Sequence, residues 1–257
     1  MQALVDIGNT RIKWALYDGK RLGQHGNAVH RDVRDAALQT FARTLPTDVT
    51  RLFVANVAGD AMAQGLRAVI GSRAEVEFVA TSAERFGVRC AYAEPQRLGV
   101  DRWLGVLAAY RRAAGAACVI QSGTAVTFDA VAADGEHLGG LILPGARLLA
   151  AALDRSTSNI GATPPPGAAP KGLALLGRDT AAAVGHGAML AISGALDRAV
   201  RAVAEAAGVA PRVYLLGGDA AELAPWLETK VEARADLVLE GLALFSAERA
   251  SLAKKGR

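Results

Sequence analysis

In "LVDIGNTRIK", residues 4–13, a carboxylate at Asp6 ends an apolar run, and Gly8, Asn9 and Thr10 follow at once. Gly and Asn tolerate positive φ and mark hairpins, so a turn accounts for Gly8 and Asn9. It does not account for an acid at the end of a strand that reads as buried. A turn with outward backbone N–H groups cradles phosphate. A carboxylate at its mouth can orient Mg²⁺, through water, against that phosphate. Lys13, across the hairpin from Asp6, would add positive charge to the same phosphates. Taken once, the stretch reads first as an ordinary hairpin with an edge aspartate.

The pattern occurs twice. "LVDIGNTRIKWALYDGKRLG" (4–23) overlays "VIQSGTAVTFDAVAADGEHLGG" (119–140): strand, polar residue, Gly turn, alternating strand, "DG" hairpin, third strand. Gly8 falls on Gly123, Asn9 on Thr124 and Asp6 on Gln121; after a one-residue gap Gly19 falls on Gly135. Val126, Phe128 and Ala130 share one strand face, Thr127 and Asp129 the other. "RVYLLGGDA" (212–220) adds a further strand running into a Gly turn and a helix. Two turns and "GGD" favour phosphate binding over a plain hairpin.

"RLGVDRW" (97–103) supplies a second acid. Asp101 opens a helix on which Trp103, Val106, Leu107 and Tyr110 recur at helical spacing, with Gly115 as its stop. An N-cap is the commonest role for such an aspartate. In a cleft beside Arg102 it could instead accept a proton from a substrate hydroxyl while the arginine holds an anion on that substrate.

These residues need elements to carry them. Besides the strands and the Trp103 helix, residues 178–208 read as a long helical region, with Gly185, Gly187 and Gly194 arguing for a break or close packing. "ATPPPGAAP" (162–170) reads as a loop of stiff residues. The halves predict two α/β domains, 1–115 and 116–257, with a ligand cleft between them.

Composition narrows the function. The chain has 257 residues, 51% hydrophobic, with a dispersed net charge of +4 and a basic "AKKGR" end that reads as a solvated tail. Basic residues are not interleaved with aromatics, so nucleic acid is not an expected partner. No apolar run nears the roughly 20 residues of a membrane span. The early Asp6 and Arg11 argue against a secretory signal. Cys90 and Cys118 lack metal spacing and read as buried free thiols, consistent with a reducing, cytoplasmic setting. "GLALLGRD" (172–179) imitates a P-loop but has Arg178 and Asp179 where Lys and Ser/Thr belong. The four histidines are scattered and read as surface residues.

"DIGNTRIK", "GVDRW", "SGTAVTFD" and "GGLILPG", in this order and spacing, resemble the type III pantothenate kinases, which belong to the superfamily of acetate kinase, sugar kinases, Hsp70 and actin. The resemblance runs from Asp6 through "GRDT" (177–180) to "LEGL" (239–242). It implies two actin-like ATPase (ribonuclease H-like) domains and ATP-dependent phosphorylation of pantothenate to 4′-phosphopantothenate, the first step of coenzyme A synthesis. It further implies that Asp6, Ile7, Gly8, Asn9, Thr10, Arg11, Ile12 and Lys13 bind ATP phosphates and Mg²⁺, and that Thr124 contacts ATP. Asp101 would be the base; Gly99, Val100, Arg102 and Tyr92 would frame pantothenate, with Arg102 facing its carboxylate. Thr180 would reach pantothenate from the second subunit of a homodimer. An activating K⁺ or NH₄⁺ is also implied, but many members hold it with Asp where this chain has Gln121, which offers an oxygen without a charge. Two other readings stay open: a regulatory protein on the same scaffold, and a kinase or phosphatase acting on sugars, acetate or polyphosphate.

Overall fold

The computed structural model describes residues 1–156, 167 and 169–255, without the side chains of 253–255. Most of "ATPPPGAAP" and the extreme basic tail lie outside the described residues. In chain order the elements are β1 Gln2–Ile7, β2 Arg11–Tyr17, β3 Leu22–Val29, α1 Arg34–Thr44, β4 Arg51–Asn56, α2 Asp60–Ile70, β5 Glu75–Phe78, β6 Glu84–Arg85, β7 Val88–Arg89 and α3 Val100–Ala113. There follow β8 Ala117–Ser122, β9 Ala125–Val131, β10 His137–Pro144, α4 Ala146–Ser156, α5 Thr180–Ala207, β11 Arg212–Leu216, α6 Ala220–Leu223, β12 Glu232–Ala233 and α7 Leu237–Lys255.

Two compact units result: Met1–Ala108 with Asp236–Arg257, and Ala109–Ala235. They depart from a seam near residue 115, because α3 spans the boundary and α7 returns to the first unit, where it packs on β1 and β4. Each unit holds a five-stranded sheet of one topology, β3-β2-β1-β4-β5 in the first and β10-β9-β8-β11-β12 in the second. In each, an antiparallel meander is extended by two parallel strands. The repeat read from the sequence is thus a repeat of fold. Gly19 and Gly135 take the positive φ that their "DG" turns demand.

In the first unit, Ala3, Val5 and Ile7 of β1 join Leu38 and Phe41 of α1 and Met62 and Leu66 of α2 in one core. Strand alternation sends Leu4 and Asp6 to the opposite face, toward the side covered by α7. Trp14 on β2 meets Phe41 edge-on at 5.0 Å, and its ring lies where a Cβ on Gly26, its cross-strand partner, would stand. Helix α7 approaches α3 closely at Gly241, where a Cβ would lie 2.4 Å from the Leu104 carbonyl oxygen.

In the second unit, α5 is one unbroken helix. Asp179 caps it by accepting the Ala182 N–H at 2.8 Å, and Gly208 ends it at φ +66°. Gly187 and Gly194 neither break it nor meet a neighbour. Helix α3 likewise ends before Gly115, with Ala114 in the left-handed conformation.

The α3–α7 contact fixes the helix that carries Asp101. Gly241→Ala drives a methyl group into backbone, so destabilisation of about 1–3 kcal/mol is expected. Urea unfolding followed by tryptophan fluorescence checks it; an unchanged midpoint would show that α3 yields freely.

Candidate active site

Strand β1 ends at Ile7, paired with Ile12, and the chain turns through Gly8–Thr10 with the Gly8 N–H donating to the Arg11 carbonyl at 3.0 Å. One residue earlier Asp6 sits opposite Lys13. Asp6 is 8% exposed, and its Oδ1 has no hydrogen-bond partner. Burial, then the charge of Asp101, push its pKa up to about 7 against the opposing pull of Lys13. The structure therefore brings both Lys13 and Asp101 within electrostatic reach of Asp6.

Asp101 is not an N-cap. Helix α3 begins at Val100, and the Gly99 carbonyl accepts its first bond, from the Trp103 N–H at 3.0 Å. Asp101 stands in the first turn, with Oδ1 accepting the Arg102 N–H at 2.8 Å. A Cβ on Gly99 would lie 2.8 Å from Asp101 Oδ1, so glycine is what leaves that carboxylate its space. The buried Arg102 donates to the Tyr92 hydroxyl at 3.2 Å, which brings together two of the residues expected around pantothenate.

The second unit has its own turn. Ser122 pairs with Val126, and the Gly123 N–H donates to the Ala125 carbonyl at 3.1 Å, so this turn is one residue tighter than the first. Gln121, paired with Thr127, occupies the place of Asp6. Gly217, at φ +107°, lies against the Ser122 carbonyl, where any Cβ would clash, and Asp219 donates its N–H to that carbonyl at 3.1 Å. The "GGD" turn thereby packs onto the hairpin turn. Thr180, first residue of α5, lines an apolar groove of about 790 Å³ with Leu149, Leu153, Val184 and Gly187.

Sequence reasoning misplaced two histidines. His30 and His137 are buried. His137 Nε2 lies 3.1 Å from Asp129 Oδ1 in the interior of the second unit. Cys118 is buried, and its thiol is pushed up to about 12, while Cys90 is only partly buried. Among the described residues no cluster of three His, Cys, Asp or Glu forms a metal cage, and no helix is long and apolar enough to cross a membrane.

The family model of type III pantothenate kinase matches residues 3–202. The chain belongs to the type III pantothenate kinases. The type III pantothenate kinase of Nitrosococcus oceani is 37% identical over 250 residues, covering 95% of this chain and 92% of that one. The type III pantothenate kinase of Chromobacterium violaceum is 39% identical over 248 residues, covering 94% and 98%. A Campylobacter jejuni protein assigned to the Baf family of transcriptional activators superposes with a TM-score of 0.57 at 19% identity, covering 97% of this kinase and 99% of that chain. That likeness concerns the fold alone, the actin-like ATPase fold. This kinase phosphorylates pantothenate at the expense of ATP, in coenzyme A biosynthesis.

The raised pKa of Asp6 has a sign. Its contribution to stability is fully present below the ordinary carboxyl value of 3.8 and is lost as pH rises through about 7, because the native state must then ionise a buried acid. Without nucleotide and with metals chelated, the unfolding midpoint of the wild-type kinase should therefore fall relative to Asp6→Asn between about pH 4 and pH 8. Parallel curves for the two proteins would refute the buried-acid assignment.

Proposed function

We propose that this kinase transfers the terminal phosphoryl group of ATP to the 4′-hydroxyl of pantothenate with Asp101 as general base. The observation that carries the reading is a pair of carboxylates close enough for one to raise the pKa of the other: Asp6 buried at the end of β1, and Asp101 on the first turn of α3 with the Arg102–Tyr92 contact beside it. Asp101 accepts the hydroxyl proton as the oxygen bonds to the γ-phosphorus. The bond from that phosphorus to the β–γ bridging oxygen breaks, and ADP leaves with the electron pair.

Arg102 is proposed to hold the pantothenate carboxylate, with Gly99, Val100 and Tyr92 shaping the same pocket. The run Asp6, Ile7, Gly8, Asn9, Thr10, Arg11, Ile12, Lys13 receives the ATP phosphates through its backbone and the Lys13 charge, and Thr124 contacts ATP. The unbonded Asp6 Oδ1 suits a divalent cation, since a buried oxygen lacking a donor is what such an ion, directly or through its water, would satisfy. Mg²⁺ bound with ATP supplies neutralisation of the phosphate charge.

The kinase is further proposed to be a cytoplasmic homodimer in which Thr180 completes the partner's pantothenate pocket. The groove beside Thr180 supports this. It is apolar, and its Gly187 has no atom near the place of a Cβ, which leaves room for a second copy to pack closely.

Asp101→Asn keeps size and hydrogen-bonding capacity but loses proton affinity. Turnover should fall roughly 10²-fold or more with ATP binding nearly intact. Initial rates and nucleotide titration of the folded variant check this; near-normal turnover would return Asp101 to a purely structural role on the first helical turn.

A monovalent cation, K⁺ or NH₄⁺, is proposed to bind near Gln121, held by dipoles rather than by direct charge pairing. Activation should then need a higher cation concentration in the wild type than in Gln121→Asp. Initial rate against K⁺ at constant ionic strength, with choline chloride as filler, decides the point. Superimposable curves would remove Gln121 from cation binding.

A further inference from the structure

The chain leaving β3 meets the first phosphate turn at His30. Its backbone N–H donates to the Thr10 carbonyl at 3.0 Å, and its ring Nε2 lies 2.6 Å from the Gly8 carbonyl oxygen. A carbonyl only accepts, so Nε2 carries the proton and donates. The residue is 7% exposed. With the Arg11 carbonyl already taken by the Gly8 N–H, the carbonyls of Gly8, Thr10 and Arg11 are all committed to donors within the protein.

The second unit shows what the first adds. There the chain leaving β10 meets its turn at Gly145, whose N–H donates to the Thr124 carbonyl at 3.0 Å, the counterpart of the His30–Thr10 bond. At Gly145 no side chain fits: a Cβ would lie 2.2 Å from the Gly123 carbonyl oxygen. At the same topological place the first unit, whose turn is one residue longer, carries an imidazole that reaches the carbonyl of Gly8.

We propose that His30 is a positioning residue for ATP: by holding the Gly8 and Thr10 carbonyls it fixes the Gly8–Thr10 turn in the shape that receives the phosphates. Phosphate binding by backbone donors depends on their being held in place beforehand, and carbonyl oxygens swinging toward the ligand would repel it. This inference rests on the kinase reading above. His30 acts through the turn and touches no reacting atom.

The test compares His30→Leu, which keeps bulk and removes the donor, with His30→Gln, whose amide N–H reaches about as far as Nε2, and His30→Asn, whose amide is too short. Steady-state KM values for ATP and for pantothenate are measured along with the thermal unfolding midpoint. The expected result is a rise of about tenfold in the ATP KM for His30→Leu and His30→Asn, the scale of one lost positioned hydrogen bond. The pantothenate KM should stay within about twofold, and His30→Gln should return the ATP KM to within about threefold of wild type. An unchanged ATP KM in His30→Leu, equal impairment of His30→Gln and His30→Asn, or parallel rises in both KM values would overturn the proposal. Should His30→Leu fail to fold, the Gln–Asn comparison decides alone. A wild-type protein without ATP-dependent pantothenate phosphorylation would overturn the kinase reading and this inference together, whereas an active wild type with indifferent variants overturns this inference only.

Discussion

Keeping an acid out of water at the end of β1 is the constraint on which the first unit depends. An ionised carboxylate is expensive to bury unless it is paired or hydrogen-bonded, yet Asp6 has one oxygen without a donor and a second carboxylate nearby. Its place follows from the strand. Ala3, Val5 and Ile7 are claimed by the core under α1 and α2, so alternation turns Asp6 to the face where α7 covers the sheet. Helix α3 packs against α7 at Gly241 and carries Asp101, and Gly99 leaves that side chain its room. The cost falls where the proposed phosphate site lies, as is usual where strain and unsatisfied polarity concentrate.

The duplicated topology shows which parts of the scaffold are generic and which are chemical. Both sheets have the same strand order, and both turns are held by a residue arriving from the third strand. The differences lie at the turn itself. Asp6 is answered by Gln121, a four-residue connection by a tighter one, and His30 by a glycine that has no room for a side chain. One unit has kept an acid and a fixed turn beside it; the other has packed "GGD" onto its turn instead.

The strands and hairpins were legible in the sequence because their signals are local: period-two alternation, "DG" turns and an acid placed just before a glycine turn. The Asp101 helix was legible for the same reason; that the acid stands on its first turn rather than ahead of it was not, since the helix already begins at Val100. What sequence could not show depends on distant partners. Nothing around "AVHRD" announces that His30 is buried against a carbonyl twenty-two residues away. Nor does the glycine content of α5 reveal an unbroken helix, because packing and the Asp179 and Gly208 ends override the weak propensity of single glycines. The return of α7 is not local either: only tertiary contact assigns it to the first unit.

That return of α7 orders the events of synthesis. The second unit is one continuous stretch, Ala109–Ala235, whereas the first is stitched from two stretches on either side of it. As the chain leaves the ribosome, the second unit has all its residues before the segment carrying α7 is made, and domains fold as units once their residues are available. Until then the face of β1 and β4 that α7 covers, with Leu4 and Asp6 on it, has no lid.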